Sequence, residues 1–476
     1  MLLSSLLNQD IVDDFEITRV VDDSRLVEPG DVFIFDARIM PEKADEFIAM
    51  AQGKGAKAII SNALGKKGII EHHTPGLLLA KWATYLYPKM PKHLVAVTGT
   101  NGKTSVSWFY MQLATGVSKK AASIGTLGVA KGVDDVEETG YTSPTALKLH
   151  PVLEQLAKDG VEYVCMEASS HALELHRVDG CRFEGTAITN ITQDHLDFHQ
   201  TMEAYAAAKA RLFGDLLDEN GTAVVNIQRP ELWPVAALVK QRDVNLLAVG
   251  SANAELTVDI VEQLPDGLRL RVKCNGVDTT VDVPVVGTFQ AQNIATALGL
   301  GLASGLDLGE MLKVLPKLQN VPGRMQIVPS STAQPTVVVD YAHTSDALEG
   351  ALKALKPLCK GKLWVVFGCG GDRDAGKRPL MGAVAEKIAD EIIVTDDNPR
   401  TEDPAPIRQQ ILAACSKGIE MPNRAQAIAH AIKNAALDDI VLIAGKGHET
   451  GQIIGKDKKP FSDVEEAQKA LKEKAA

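Results

Sequence analysis

The segment Val95-Ala-Val-Thr-Gly-Thr-Asn-Gly-Lys-Thr-Ser105 decides the fold of this chain. An apolar strand runs into a glycine-rich turn, and the turn ends in a Lys-Thr pair at the start of a predicted helix. Such a turn directs several backbone N–H groups at one set of phosphate oxygens, and its lysine places a cation on the β and γ phosphates. The segment therefore predicts a phosphate loop, residues 99–105, in an α/β domain that binds a nucleotide.

The spacing of this loop departs from the usual one, in which four residues separate the first glycine from the Gly-Lys pair. Here only Thr100 and Asn101 stand between Gly99 and Gly102. An ordinary strand-turn-helix with a surface lysine is the alternative, and the density of the match argues against it. We expect the loop to bind phosphates through Gly99, Thr100, Asn101, Gly102, Lys103, Thr104 and Ser105, with the Thr104 hydroxyl on a magnesium ion.

The composition predicts a soluble chain of several domains that acts on small molecules. A length of 476 residues has room for roughly three domains, and the formal charge of -11 disfavours nucleic acid and anionic lipid as partners. The six cysteines are scattered, and we identify neither a secretory leader nor an apolar run of the roughly 18 residues that a membrane helix needs. We expect reduced thiols, a cytoplasmic location, no membrane insertion and a monomer.

Two breaks divide the chain, at residues 87–91 and 321–324, where proline and glycine interrupt the pattern. They predict an N-terminal domain over residues 1–90, a central domain over 91–321 and a C-terminal domain over 322–476. Apolar runs at residues 94–98, 163–166, 186–189 and 223–226 predict a mostly parallel central sheet with covering helices. Residues 256–286 alternate as in antiparallel strands, with a turn at 265–267, and residues 291–318 return to helices.

The C-terminal domain repeats the strand-helix rhythm. Its strands are predicted at residues 336–340, 363–367, 391–395 and 440–444, and each is followed by polar or glycine residues. Ligands of open α/β sheets bind outside the carboxyl ends of the strands. We therefore expect Asp340 and residues 368–374, 396–400 and 445–449 to converge on one crevice.

Three groups of side chains carry the expected chemistry. Glu167 and His195 follow neighbouring central strands and would complete a magnesium shell begun by Thr104, although a single histidine is more often structural. Lys209 lies among alanines on a predicted helix, where the residues alone favour a solvated surface lysine. In the C-terminal crevice, cationic forks and carboxylate acceptors suit a zwitterionic ligand, with surface ion pairs as the alternative. These residues are Arg324, Arg373, Arg400, Asp397 and Glu449.

Taken together, these motifs resemble the Mur ligases of bacterial peptidoglycan synthesis, and the resemblance covers nearly the whole chain. The motifs are Thr98-Gly-Thr-Asn-Gly-Lys-Thr-Ser105, Met166-Glu-Ala-Ser-Ser-His171, Thr189-Asn-Ile-Thr-Gln-Asp-His-Leu-Asp197, Asn293, Pro322-Gly-Arg324, Val339-Asp-Tyr-Ala-His343, Gly368-Cys-Gly-Gly-Asp-Arg373, Asp397-Asn-Pro-Arg400 and Gly445-Lys-Gly-His-Glu449. Several are shared with related ATP-dependent amide ligases such as folylpolyglutamate synthetase. The Asp397–Arg400 motif is similar to that of family members that add the third peptide residue. The resemblance implies that Arg400, in the fourth position of the motif, is typical of members that use meso-diaminopimelate.

The resemblance implies three α/β domains, with a central parallel-sheet P-loop ATPase domain and a Rossmann-like C-terminal domain. It implies an ATP- and Mg²⁺-dependent ligase that activates the D-glutamate carboxylate of UDP-N-acetylmuramoyl-L-alanyl-D-glutamate as an acyl phosphate and joins it to meso-2,6-diaminopimelate. The third domain would close onto the second to complete the ATP site.

The resemblance also assigns roles to individual residues. Lys103, His195 and a carbamylated Lys209 would be catalytic, and Thr104, Glu167, His195 and Lys209 would hold the metal. ATP would also meet Asn293, Arg324, Asp340 and His343. The UDP-linked acceptor would meet Ser24, Thr142, Ser143, Ser169 and Arg177. Diaminopimelate would meet Arg373, Asp397, Asn398, Pro399, Arg400, Gly445 and Glu449.

Two departures from the family pattern stand out. Gln326 occupies a position after Pro-Gly-Arg-Met that is often acidic, and residues 36–45 lack the glycine-rich turn expected after the strand at residues 32–35. Two other functions remain as alternatives: a ligase that adds glutamate to folate, and a nucleotide-operated P-loop switch that moves a protein partner.

Overall fold

The computed structural model of the chain describes residues 1–140, 142–251, 253–264, 267–331 and 333–475. Its internal contacts group into two compact units. The first comprises Met1–Leu256 with Thr296–Met311, and the second comprises Thr257–Ala295 with Leu312–Ala476. The predicted domain bounds at residues 90 and 321 stay a prediction.

The first unit begins with a parallel sheet of four strands in sequential order. Its strands are β1 (Val20–Val21), β2 (Val32–Phe35), β3 (Ala58–Ser61) and β4 (Ile70–Glu71), and its helices are α1 (Leu3–Leu7), α2 (Ala44–Gly53) and α3 (Pro75–Leu86). All four residues of β2 are buried, since its two faces pack into separate hydrophobic clusters. This apolar run fixes the strand from which residues 36–45 emerge.

A larger sheet follows in the same unit. Its strands are β5 (His93–Thr98), β6 (Ala121–Gly125), β7 (Gly128–Gly132), β8 (Asp135–Glu137), β9 (Tyr163–Glu167), β10 (Phe183–Ile188), β11 (Leu217–Asn226) and β12 (Asn245–Gly250). The helices are α4 (Lys103–Gly116), α5 (Ala146–Lys158), α6 (Ser170–Glu174), α7 (Leu196–His199), α8 (Met202–Arg211) and α9 (Trp233–Gln241). The order is β12-β11-β10-β5-β9-β6-β7-β8, parallel from β12 to β6. The predicted parallel central sheet is confirmed.

In the second unit, residues 257–264 and 267–283 contain the antiparallel strands that the alternating pattern of residues 256–286 predicted. The strands are β13 (Leu256–Leu264), β14 (Gly267–Cys274) and β15 (Val277–Val283). The helices that follow, α10 (Gln290–Ala303) and α11 (Leu308–Val314), each have residues in both units, because Thr296–Met311 belongs to the first. The turn predicted at Pro265 and Asp266 lies outside the described residues.

The second unit continues with a six-stranded sheet in the order β16-β17-β21-β18-β19-β20. Its strands are β16 (Gln326–Val328), β17 (Thr336–Asp340), β18 (Leu363–Phe367), β19 (Glu391–Val394), β20 (Gly418–Glu420) and β21 (Ile440–Ala444). The remaining elements are α12 (Ser345–Leu355), α13 (Lys377–Ile388), α14 (Pro404–Leu412), α15 (Arg424–Asn434), the hairpin β22 (Gly451–Ile454) and β23 (Asp457–Pro460), and α16 (Asp463–Ala475).

Only β16 runs antiparallel in that sheet, so the strands from β17 to β20 end at one edge. This edge carries the polar segments that the sequence predicted to converge. All six cysteines are free thiols, and five of them are buried. No helix in the described part of the chain has the length and apolar character of a membrane span.

Candidate active site

The phosphate loop connects β5 to α4 through two glycines in the left-handed region. Gly99 has a φ of 140° and Gly102 a φ of 89°. A Cβ on Gly99 would lie 1.9 Å from Thr189 Oγ1. The backbone conformation and the close contact both require glycine at residue 99.

The segment after β10 holds this loop in place. Asn101 N donates to Asn190 Oδ1 at 2.9 Å, and Thr189 Oγ1 donates to Asn101 O at 2.5 Å. Thr192 N donates to Thr100 Oγ1 at 2.9 Å. Residues 189–192, which the sequence analysis named only as part of a family motif, therefore shape the phosphate loop.

Two lysines meet at one carbonyl of the loop. Lys103 Nζ donates to Gly99 O at 2.8 Å and to Thr100 O at 2.9 Å, and Lys209 Nζ also donates to Gly99 O at 2.8 Å. Lys209 is only 1% exposed, so the surface-lysine alternative for this residue is wrong. Its burial, reinforced by the charge of Lys103, holds the pKa of Lys209 well below its ordinary value.

The carboxylate of Glu167 is buried at the end of β9 and is held by a residue that the sequence did not single out. Thr126 N donates to Glu167 Oε1 at 2.8 Å, and Thr126 Oγ1 donates to Oε2 at 3.1 Å. Ser143 Oγ donates to Glu167 O at 2.9 Å, and Ser169 N donates to Ser143 Oγ at 3.2 Å. Thr142 joins this cluster through a hydroxyl pair with Thr126 at 3.1 Å.

The histidines near the loop form an aromatic cluster around α7. The ring of His195 lies 4.7 Å from that of His171 and 6.4 Å from that of Tyr205, centroid to centroid. Burial lowers the pKa of His171 to about 4, with further lowering from His195 and His199. Partial burial also lowers the pKa of His195 against the opposing pull of Asp194, which favours the neutral imidazole that binds metals.

The predicted magnesium ligands fit the ion only in part. The Thr104 hydroxyl and the Glu167 carboxylate offer the oxygen ligands that magnesium prefers, and imidazole is a less usual ligand for this hard cation. An unmodified Lys209 offers an amine instead of oxygen. Among the described residues, no group of three His, Cys, Asp or Glu side chains is placed to hold a metal ion. The fit therefore rests on the oxygens of Thr104 and Glu167, and the carbamylation of Lys209 stays a prediction.

A cavity of about 470 Å³ lies in the first unit between the N-terminal sheet and the region around α6. It brings together Ser24 and Arg177, two predicted contacts of the UDP-linked acceptor. Cationic and apolar side chains share its walls, among them Arg25, Lys43, Lys148, Ile39, Met40 and Phe47. Thr142, Ser143 and Ser169 instead surround Glu167, and the carbonyl of Ser143 accepts Arg177 Nη1 at 3.5 Å.

The segment 36–45, which lacks the family's glycine-rich turn, forms part of this cavity wall. Arg38 pairs with the Asp36 carboxylate at 2.7 Å and with the Glu174 carboxylate at 2.9 Å. The Arg38 guanidinium and Asn62 hold the pKa of Asp36 below its usual value, although burial alone would raise it. An arginine bridge thus fixes the segment where a glycine turn was expected.

In the second unit, Asp340 ends β17 and organises the adjacent arginine segment. Its carboxylate accepts Met325 N at 2.7 Å and Ala342 N at 2.8 Å. Burial raises the pKa of Asp340 against the opposing effect of Arg324. The Arg324 guanidinium stacks on the Tyr341 ring at 4.2 Å. Asp340 therefore orients Arg324, the neighbouring residue predicted to meet ATP.

The other predicted ATP contacts of this unit are each held locally. His343 Nδ1 lies 2.9 Å from Tyr341 O, and Asn293 Nδ2 on α10 donates to Gln290 Oε1 at 2.8 Å. Gln326, at the position that is often acidic in the family, accepts Gly323 N at 2.8 Å. The amide thus supplies the acceptor that this tight turn uses.

Arg400 is fixed by its backbone as well as by its side chain. Its φ is 52°, and the hairpin β22–β23 pairs with it, through Arg400 N to Ile453 O at 3.1 Å and Gly455 N to Arg400 O at 2.7 Å. Arg400 Nη1 donates to Gly371 O at 2.8 Å. Arg400 Nε and Nη2 have no hydrogen-bond partner among the described residues, so that edge of the guanidinium can take a carboxylate.

The other predicted amino-acid contacts lie along the same edge of the sheet. Asp397 and Asn398 are buried, and a Cβ on Gly445 would lie 2.5 Å from Asp397 Oδ2. Asn398 Nδ2 donates to Glu449 Oε2 at 2.9 Å. Arg373 is exposed and donates to Asp372 O at 3.0 Å.

Sequence reasoning missed one charged residue in this crevice, Lys446. It is fully buried and donates from Nζ to Asn398 Oδ1 at 3.0 Å and to Glu449 Oε2 at 2.8 Å. The signal was present in the Gly445–Glu449 motif, where a lysine stands between two glycines.

Two family models match the chain: the Mur ligase middle domain over residues 97–301, and the Mur ligase glutamate ligase domain over residues 323–447. The chain belongs to the Mur ligase family. Curated relatives agree over nearly their whole length. Proteins of Mesorhizobium japonicum and Caulobacter vibrioides are 41% and 42% identical over 469 and 480 residues, covering 97% and 98% of this chain and 96% and 98% of theirs. Both are named UDP-N-acetylmuramoyl-L-alanyl-D-glutamate–2,6-diaminopimelate ligase.

Solved structures support the same assignment. A structure with that same name is 33% identical, with a TM-score of 0.70, and the alignment covers 100% of this chain and 99% of the other. A Mycobacterium tuberculosis folylpolyglutamate synthase complexed with ADP is 20% identical, with a TM-score of 0.63, over 78% of this chain and 92% of its own. The second similarity shows a shared fold, and the first belongs with the family assignment.

Proposed function

We propose that this chain is an ATP-dependent ligase that joins meso-2,6-diaminopimelate to UDP-N-acetylmuramoyl-L-alanyl-D-glutamate, a reaction of peptidoglycan precursor synthesis. The observation that carries the proposal is Arg400, whose guanidinium is held through Nη1 by Gly371 O and which, like Glu449, lies near enough to Tyr341 to influence its pKa. The names of relatives about 40% identical over nearly the whole chain support it. In this proposal, residues 1–90 bind the UDP end of the acceptor, residues 91–321 bind ATP, and residues 322–476 bind the amino acid.

In this proposal the phosphate loop and Lys103 bind the triphosphate. Thr104, Glu167, His195 and Lys209 would hold magnesium, which would supply further positive charge there. Loop amides and Lys103 Nζ stabilise charge on the γ-phosphate as the acceptor carboxylate attacks it, giving an acyl phosphate and ADP. The amine of diaminopimelate then attacks the activated carbonyl, and phosphate leaves. The chain supplies no nucleophile, because positioning and electrostatics suffice for both steps. Asn293, Arg324, Asp340 and His343 are proposed to contribute to the ATP site from the second unit.

Lys209 is proposed to act as a carbamate. Its burial and the proximity of Lys103 favour the neutral amine, and a neutral amine is the form that adds to carbon dioxide. The carbamate would give magnesium an oxygen ligand beside Thr104, Glu167 and His195. Incubation with ¹³C-bicarbonate should produce a carbamate carbon signal that Lys209→Arg lacks. The same signal in both proteins would contradict the assignment.

The acceptor is proposed to bind in the cavity that contains Ser24 and Arg177, and its peptide end to reach Thr142, Ser143 and Ser169. The link from Arg177 to Ser143 supports this path, because it connects the cavity to the cluster around Glu167. Cationic residues on the cavity wall suit a diphosphate.

Diaminopimelate is proposed to bind among Arg373, Asp397, Asn398, Pro399, Arg400, Gly445 and Glu449. Its distal carboxylate matches the planar fork of Arg400, whereas lysine carries only an ammonium group at that end. Bidentate pairing therefore discriminates between the two amino acids.

A phosphate-release assay tests the proposed function. With ATP, magnesium and the UDP-linked dipeptide, release should require diaminopimelate and should be far slower with lysine or with no amino acid. Release that proceeds without an amino acid would support the nucleotide-operated switch, and activity with a folate acceptor would support the folate ligase. The same preparation, analysed by light scattering, tests the expected monomer.

A further inference from the structure

Lys446 is a buried charge that the proposed chemistry does not yet use. Its side chain is fully enclosed in the loop after β21. A buried ammonium is strongly unfavourable unless partners compensate for lost hydration. Its Nζ has two such partners, Asn398 Oδ1 at 3.0 Å and Glu449 Oε2 at 2.8 Å.

These bonds fix one oxygen of the Glu449 carboxylate and leave the other available. Glu449 Oε2 accepts both Lys446 Nζ and Asn398 Nδ2. Oε1 has no hydrogen-bond partner in the described ranges, and the Glu449 side chain is 32% exposed. Burial alone would raise the pKa of Glu449, but the charge and hydrogen bond of Lys446, together with Asn398 and His448, hold that pKa below its ordinary value.

Asn398 connects this pair to the neighbouring elements. Its Oδ1 also accepts Ile453 N from β22 at 2.9 Å, and Gln452 Nε2 donates to Asp397 O at 2.7 Å. Lys446 therefore lies at the centre of a network that joins the loops after β19 and β21 to the hairpin. Small movements of Glu449 are opposed by bonds from both loops.

We propose that Lys446 is a positioning residue for the incoming amino acid. It holds Glu449 ionised and oriented, so that Oε1 accepts an ammonium group of diaminopimelate. The inference rests on the proposed function, because it assigns the occupant of the crevice. Lys446 is fully buried and donates to protein side chains, so its effect on the amino acid would be exerted through Glu449.

A double-mutant cycle on Lys446 and Glu449 tests this role. We expect Lys446→Gln to raise the KM for diaminopimelate by about tenfold, as for a charged partner removed from a buried pair, with the KM for ATP unchanged within twofold. Lys446→Met should have a larger effect, because it leaves Glu449 Oε2 without that donor. Glu449→Gln should raise the same KM, and adding Lys446→Gln to it should cause little further increase, because the two residues act as a unit.

Lys362→Met is the matched control. Lys362 lies in the same unit, where its side chain is 61% exposed and pairs with Glu391 at the surface. Its removal takes away one positive charge without touching the crevice, so no KM should change. Circular dichroism identifies any variant that does not fold. If Lys446→Met does not fold, the test rests on Lys446→Gln.

The pH profile supplies a readout that a merely structural lysine would not move. The groups facing Glu449 are Lys446, Asn398 and His448, with Tyr341, Arg424 and Asp397 close by. The KM for diaminopimelate should rise at low pH, where Glu449 becomes protonated. In Lys446→Gln this rise should begin at a higher pH, because Glu449 loses the cation that lowers its pKa.

Additive effects in the cycle, or an unchanged acid limb, would overturn the positioning role. Failure of the proposed function gives a separate result. The unmodified enzyme would then release no phosphate in response to diaminopimelate, and the role of Lys446 would be rejected as well. An active wild-type enzyme with an additive cycle rejects only the role of Lys446.

Discussion

Gly99→Ala tests the phosphate loop at the position where the structure leaves least freedom. The φ of 140° is unfavourable for any residue with a side chain, and such strain costs about 1–3 kcal/mol. The new methyl would also lie 1.9 Å from Thr189 Oγ1. Thr189 must rotate away and give up its bond to Asn101 O, which costs a further 1 kcal/mol or so.

Together these terms destabilise the phosphate-binding conformation of the loop by about 2–4 kcal/mol. A protein that must first recover this conformation binds its ligand more weakly by the same free energy. We therefore expect the apparent affinity for ATP to fall at least about 30-fold, measured as the KM for ATP in the phosphate-release assay.

Two further variants divide the cost between its sources. Thr189→Ala, added to Gly99→Ala, removes the oxygen that the methyl would meet and should recover part of the affinity. Gly305→Ala places a methyl at a φ of 77° with no atom within 4 Å. It should lower the melting temperature slightly through backbone strain of about 1–2 kcal/mol and leave the KM for ATP unchanged. A Gly99→Ala enzyme with an unchanged KM and melting temperature would refute the reasoning.

Three other changes address separate parts of the protein. Lys103→Ala should abolish phosphate release, and turnover near the parent level would exclude the phosphate-loop assignment. Arg400→Ala should weaken diaminopimelate by about 2 kcal/mol, roughly 30-fold in KM, because a charge-assisted pair is lost; a fall in ATP affinity alone would place the crevice elsewhere. Burial and the charge of Arg324 lower the pKa of His448 from 6.5 to about 4. The free energy of unfolding should therefore be highest above about pH 6.5 and should decrease as the pH falls toward 4, because the unfolded chain takes up the proton first. The free energy of unfolding measured by urea denaturation should fall by up to about 3 kcal/mol across this pH range. His448→Gln should reduce this dependence on pH.

The strands were predictable because buried parallel strands are continuous apolar runs bounded by glycine or polar residues. The burial of Lys209 was not predictable, because alanines on either side are compatible with a solvated helix face as well as with a packed one. Thr126 and Lys446 were missed for a related reason. Their partners Glu167 and Asn398 lie at the end of one other strand, β9, and in the loop after another, β19. No local sequence pattern shows which strand ends become neighbours.

The departures from the family pattern had a similar outcome. Gln326 was expected to remove a charge, and the structure shows that its amide still satisfies the Gly323 turn. Residues 36–45 lacked a recognisable turn, and an arginine bridge through Arg38 fixes them. The sequence showed a departure from the family pattern at Gln326 and at residues 36–45. The contacts that compensate for these departures are visible only in the structure.

The docking of the hairpin β22–β23 on Arg400 has a consequence for redesigning amino-acid choice. The left-handed backbone of Arg400 is set by main-chain bonds from Ile453 and Gly455, which lie more than 50 positions later in the chain. A graft of the Asp397–Arg400 segment from a lysine-adding enzyme would therefore arrive without the strand that shapes it. If this crevice binds the amino acid as proposed, an exchange of substrate preference has to replace both segments, residues 397–400 and the hairpin β22–β23.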